Sequence, residues 1–203
     1  SAAKAFGALL YPSIADNPVA ISLRNKLEQF IAGQEEGYRH LYDNRSGSFY
    51  FGWNATHKRY TGWEDSSGNW VVGHMDYFVN EFRGPLQFVV QRFGIPVDAI
   101  RNSGFKIKPY RMADGRDVYT LATWNGSSFE SLGLSLFMQE LDTPGWRENL
   151  ENSVDIELDY STRHSLPGFL SEAYSGDGLE YTGNIGIPDV AVIDQPGRHV
   201  HVG

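Results

Sequence analysis

Cysteine is absent from the 203 residues, which removes disulfides, thiolate nucleophiles and cysteine-bound zinc and leaves the compartment open. Positive charge is scarce. Seventeen Lys and Arg stand against 25 Asp and Glu, a formal net charge of -8, which disfavours nucleic acid or an anionic membrane as partner. No apolar run approaches the ~18 residues of a membrane span. The chain has no internal repeat, no phosphate-cradling glycine loop, no G-x-S-x-G elbow and no dinucleotide fingerprint. His57, His74 and His164 lack H-E-x-x-H or comparable spacing, so neither a metal nor a cofactor is expected. What the chain does have is aromatic side chains, at 14% of residues.

The length fits one domain, or part of a larger one, and suffices to bury about 70% of the unfolded surface. Asn17-Pro18 reads as an N-cap with proline at the first helical position. Ile21, Leu23, Leu27, Phe30 and Ile31 then predict an amphipathic helix ending near Gly33. Two aromatic runs, Ser48 to Trp53 and Lys58 to Trp63, flank Asn54-Ala55-Thr56-His57 and predict a hairpin, with a loop over 65–69. Helical spacing at Phe78, Phe82, Leu86, Val89 and Phe93 predicts a helix that Pro85 either kinks or starts afresh. Further helices are expected from Ser127 to about Glu140, and from Thr143-Pro144 through Trp146, Leu150, Val154 and Leu158. Glycines and prolines break up 164–190 into loops and short elements. With strand signal confined to one hairpin, the expectation is a mainly α fold.

Three acids stand among aromatic and hydrogen-bonding neighbours, the equipment of a sugar-cleaving cleft: flat faces for pyranose rings, polar groups for hydroxyls, carboxyls for proton transfer. Glu81, in Asn80-Glu81-Phe82-Arg83, falls at the border of the predicted apolar stripe. It reads either as a surface acid paired with an Arg such as Arg83, or as a cleft carboxylate held by Asn80 and Arg83. Asp76 beside Tyr77 serves the same cleft or favours a helix start. Glu130 forms Ser127-x-x-Glu130, a capping box that explains both residues, yet Trp124 and Asn125 just upstream suit a substrate-facing helix end. Glu172, beside Tyr174 after a Pro-Gly loop, is a helix-start acid or a loop-borne functional one.

Taken in order, Asn80-Glu81-Phe82-Arg83, Gly94-Ile95-Pro96, Thr123-Trp124-Asn125-Gly126-Ser127-Ser128-Phe129-Glu130, Leu170-Ser171-Glu172-Ala173-Tyr174 and Gly186-Ile187-Pro188 resemble the bacterial glycoamylase-like family. That family includes endo-β-1,2-glucanases and the cyclising domain of cyclic β-1,2-glucan synthases. The resemblance covers roughly residues 70–190, and departs from the family at Thr123 and Ser128, where it has Ser and Met. It implies a glycoside hydrolase acting on a β-glucan in the periplasm or outside the cell. Glu81 would be the nucleophile or base-side acid and Glu172 the proton donor. Glu130, Trp124, Asn125, Tyr174, Arg83, Asp76 and Tyr77 would hold an oligo- or polysaccharide. The family fold is an (α/α)6 toroid, and twelve helices exceed what 203 residues supply. The expectation is therefore a single catalytic-type domain over 1–203 forming about half a toroid with an added hairpin near 48–63. A missing segment or a second chain would complete it. The alternative is a non-catalytic carbohydrate-binding or scaffold chain. A polysaccharide lyase comes third, disfavoured by the low content of basic residues.

Overall fold

The computed structural model describes residues 16–171, 173–174, 181–182 and 185–193. These fold into six α-helices and five two-stranded antiparallel sheets, with three short 3-10 turns. Ten strands among the described residues, from Tyr42 to Thr182, overturn the mainly α, half-toroid expectation: the described residues form a mixed α and β structure. The chain divides into two compact units, Ser1–His74 with Val89–Ala99, and Met75–Phe88 with Ile100–Gly203.

In the first unit, helix α1 (Pro18–Ala32) begins as its sequence requires. Asn17 Oδ1 accepts from the Val19 amide at 2.9 Å, and Pro18 occupies the first turn, where no amide is missed. Its apolar residues are used sparingly: Ile31 is buried, whereas Leu23 and Phe30 are exposed. Helix α2 (Glu35–Leu41) follows. Then come β1 (Tyr42–Asp43) with β2 (Ser48–Phe49), β3 (Trp53–Asn54) with β4 (Arg59–Tyr60), and β5 (Gly62–Glu64) with β6 (Trp70–Val72).

Short polar side chains close each of these turns by accepting backbone amides. Asp43 takes that of Arg45, Asn54 that of His57, and Asp65 those of Ser67 and Asn69, at 2.8 to 3.0 Å. The expected hairpin over 48–63 exists only as its inner pairs, Trp53 with Tyr60 and Asn54 with Arg59. Its outer arms are recruited by other partners, Ser48–Phe49 by Tyr42–Asp43 and Gly62–Glu64 by Trp70–Val72.

The second unit is built on β7 (Ile107–Arg111) and β8 (Asp117–Leu121), which pair over five residues from Ile107 opposite Leu121 to Arg111 opposite Asp117. Val118 and Thr120 face inward and Tyr119 outward, the alternation of a half-buried strand. Helix α6 (Pro144–Arg163) lies on this hairpin. It buries residues 149, 150, 153, 156, 157, 160 and 161, one stripe at helical period. The stripe is not the one expected from Leu150, Val154 and Leu158, since Leu158 is exposed. Instead Asn149, Ser153, Glu157 and Ser161 form a polar seam beside Leu150, Ile156 and Tyr160. They are inside because they have work there. Asn149 Oδ1 accepts from the Leu121 amide at 2.8 Å and from Thr120 Oγ1 at 3.1 Å, and Ser153 Oγ meets Thr120 Oγ1 at 3.0 Å. Tyr110, Val118, Ile156, Tyr160, Leu170, Ile187 and Val190 complete the core.

Two other expected helices are shorter than their patterns. Helix α3 (Arg83–Phe93) starts where Asn80 has already turned the chain, with Pro85 in its first turn, so the second of the two readings of Pro85 holds. Helix α5 (Ser128–Leu132) gives way to a 3-10 turn at Gly133–Leu136 instead of running to Glu140. A four-residue helix α4 (Asp98–Arg101) completes the set.

A close approach of two backbones joins Asn125–Ser127 to Gly186–Ile187. A Cβ on Gly126 would lie 2.1 Å from the Ile187 carbonyl oxygen, and one on Gly186 would lie 2.1 Å from that of Asn125. Gly126 also holds φ at +79°. Gly115, at φ +85°, turns the β7–β8 hairpin in open space. Gly115→Ala should therefore cost only the left-handed strain of about 1–2 kcal/mol. Gly126→Ala adds a backbone clash and should cost on the order of 3–5 kcal/mol. Urea denaturation of the two variants, giving equal losses, would show that the close approach is not maintained.

Candidate functional site

The second unit brings together stretches far apart in the chain. Asn80 organises the first. Its Nδ2 donates to the Tyr77 carbonyl at 2.7 Å, and its Oδ1 accepts from the Phe82 amide at 2.7 Å. Its own carbonyl accepts from the Arg83 amide at 3.2 Å. Glu81 thus sits at the tip of a turn whose two flanks, Asn80 and Arg83, are both buried, and its carboxylate side is exposed. This replaces the helix-border position expected for it.

Arg83 is 1% exposed and spends every donor it has inside the protein. Nε and Nη2 grip Glu140 Oε1 and Oε2 at 2.8 and 3.1 Å. Nη1 donates to the carbonyls of Asn80 and Glu130, and Nη2 also to that of Ser131. No donor is left for a sugar hydroxyl, so the expected substrate-binding role of Arg83 gives way to a structural one. Its guanidinium also lies 5.5 Å from the Trp146 ring centroid. Asp76 is exposed, with its carboxylate 3.6 Å from the Lys106 ammonium.

The second stretch, 123–131, presents Trp124 outward. The indole is 39% exposed and stacks on buried Tyr77, centroids 5.4 Å apart at 28°. Behind it the chain is tied to itself. Asn125 Oδ1 accepts from the Ser127 amide at 3.1 Å, Ser127 Oγ from the Phe129 amide at 3.2 Å, and Glu130 Oε2 from the Asn125 amide at 3.3 Å. The capping box is thus shifted at both ends: the serine caps one residue early, and the glutamate reaches two residues past it. Glu130 and Asn125 are buried.

The remaining motif stretches close on the same segment. The Leu170 carbonyl accepts from both the amide and the hydroxyl of Ser128 at 2.9 Å. The Ile187 amide donates to the Gly126 carbonyl at 3.0 Å, and Ile193 to that of Trp124 at 3.0 Å. Glu172, two positions beyond Leu170, lies outside the described residues. Tyr174 belongs to strand β9 (Ala173–Tyr174), which pairs with β10 (Tyr181–Thr182). Of the expected residues, Tyr77, Glu81, Trp124, Asn125 and Glu130 fall in these converging stretches, and Arg83 forms their anchor.

Sequence reasoning missed two acids. Glu140 is the buried counter-ion of Arg83, 57 positions away. Glu157, 3% exposed, accepts from the Leu170 amide at 3.0 Å and so supports the segment that holds Ser128. Its signal was present in the i, i+4 run of polar residues on α6. Glu157 lines a water-sized cavity of about 10 Å³ with Thr123, Ser127, Ser131 and Ser153. Burial pushes its carboxyl from 4.5 up to about 7, partly offset by the Leu170 amide, which favours the anion. Among the described residues no group of three or more His, Asp or Glu is placed to hold a metal ion, and no helix is long and apolar enough to cross a membrane. The chain matches no family model and no curated protein.

Two measurements test this construction. Arg83→Ala strands the Glu140 charge in the core and should cost about 3–5 kcal/mol in chemical denaturation. For Glu157 the folded chain binds the proton more tightly than the unfolded one. That stabilisation is complete below pH 4.5, declines as pH rises and is lost above about 7. Glu157→Gln keeps an acceptor for Leu170 without the titration. Its stability relative to the parent should rise by about 3 kcal/mol between those limits. Parallel curves for the two proteins would place the Glu157 titration elsewhere.

Proposed function

We propose that the chain is a glycoside hydrolase that cleaves a β-glucan of the β-1,2-linked kind, with Glu81 and Glu172 as its working carboxylates. The observation that carries the reading is convergence. The stretches containing Glu81, Trp124 to Glu130, Leu170-Ser171 and Gly186-Ile187 meet in one hydrogen-bonded assembly, although up to about 110 positions separate them. They belong to four of the five stretches whose order resembles the glycoamylase-like enzymes; the fifth, Gly94-Ile95-Pro96, lies in the first unit. The helical toroid is no part of the proposal.

Trp124, backed by Tyr77, offers a flat face to a pyranose ring. Glu81 is the base-side or nucleophilic carboxylate, carried on a turn that Asn80 and Arg83 hold still. Glu172 donates the proton to the leaving oxygen, a role that rests on the resemblance. The charge developing at the anomeric carbon is met by the Glu81 carboxylate. Fixing such a group in place before the substrate arrives is how positioning lowers a barrier. A non-catalytic sugar-binding chain is the second reading, favoured by the exposed tryptophans of the first unit.

Glu81→Gln and Glu172→Gln should each lower reducing-end release from β-1,2-glucan at least ~100-fold. Because Glu81 is exposed, its variant should melt with the parent. Hydrolysis by Glu81→Gln at the parent's rate overturns the assignment. Glucan binding with no reducing-end release by the parent selects the second reading.

A further inference from the structure

The cavity beside Glu157 lies inside the second unit. The 123–131 segment lines it with Thr123, Ser127 and Ser131, and α6 lines it with Ser153 and Glu157. Thr120 adds a fifth hydroxyl from β8. Four of these hydroxyls are engaged inside the protein. Thr120 and Ser153 meet at 3.0 Å, and Ser153 donates to the Asn149 carbonyl at 2.8 Å. Ser131 donates to the carbonyls of Ser127 and Ser128 at 3.3 Å, and Ser127 accepts from the Phe129 amide at 3.2 Å. Thr123 is the exception. It is 3% exposed, and among the described residues its Oγ1 has no hydrogen-bond partner.

A hydroxyl cut off from solvent and left unpaired is destabilising, and folded interiors seldom keep one. The Glu157 carboxyl on the same cavity is also under-supplied. Burial raises it and the Leu170 amide alone works against that, so among the described residues no cation balances it. Thr123 and Glu157 share the cavity without a direct hydrogen bond. Two polar groups so placed, with room for one small molecule, are the ordinary setting of a bridging water. The volume of about 10 Å³ is that of one water-sized probe. A divalent cation suits the space poorly, since it takes roughly six oxygen ligands and the lining offers one carboxylate.

We propose that this cavity is a binding site for a single internal water molecule, which accepts from the Thr123 hydroxyl, donates to the Glu157 carboxyl and so fastens the loop carrying Trp124 to α6. The bridge gives the two elements a second connection. The first runs from Ser128 through the backbone of Leu170 to Glu157. Neither connection depends on Glu81 being catalytic, so the water site stands apart from the carbohydrate reading.

The test compares the whole chain with Thr123→Val, which exchanges the hydroxyl for a methyl of similar size, and with Thr123→Ser, which keeps the hydroxyl. Water-oxygen-17 magnetic relaxation dispersion counts the water molecules held for longer than the protein takes to tumble. The parent and Thr123→Ser should give the same count, and Thr123→Val one fewer. In urea, Thr123→Val should raise the unfolding constant about 5-fold, the loss of one hydrogen bond. The sign of that change is decisive: a dry cavity would make Thr123→Val the more stable protein, because an unpaired hydroxyl has been removed, and this overturns the proposal. Equal counts for the parent and Thr123→Val overturn it too. So does a parent with no long-lived water, a result that needs no variant to fold. Parent stability that is higher in sodium chloride than in choline chloride of equal ionic strength would assign the cavity to a monovalent cation and likewise overturn it.

Discussion

The second unit depends on one buried ion pair. The Arg83 guanidinium, with its two-pronged grip on Glu140 and three backbone carbonyls, joins three segments that no local preference would bring together. A pair this deep gives little net stability over an apolar substitute, because both ions lose their hydration. What it does give is a unique arrangement. The 77–83 turn is placed so that all five donors are satisfied, and Glu81 stands exposed at its tip.

Glu157 complements this from the opposite direction. It takes the Leu170 amide, the Leu170 carbonyl takes both donors of Ser128, and Ser128 begins the short helix whose carbonyls Arg83 holds. The polar seam of α6 therefore acts on the motif segment through backbone groups. Replacing such residues by apolar ones of equal volume would leave amides unsatisfied, and this outweighs any gain in apolar burial.

Local features were legible in the sequence where a residue's own neighbours satisfy it. Asn17-Pro18, the turn at Asn54 and the loop closed by Asp65 are decided within a few positions, and each stands as expected. The 107–121 hairpin was missed although Asp114-Gly115 marks its turn, and that omission fed the mainly α expectation. The α6 stripe was misread because hydrophobic periodicity ranks Leu158 above Glu157, whereas the partners of Asn149 and Glu157 come from elsewhere in the chain. Arg83 was read as a ligand for sugar for the same reason: its counter-ion is distant. The grouping of Glu81, Trp124 and Glu130 was visible as motif order, but their division into exposed and buried members was not.

The backbone crossing at Gly126 and Gly186 bears on how the motifs themselves are to be understood. Neither glycine has a side chain to do chemistry, and volume alone forbids a replacement at either. Each position is fixed by packing whether or not the chain turns over a substrate, so the Gly186-Ile187 step reports on architecture and not on chemistry.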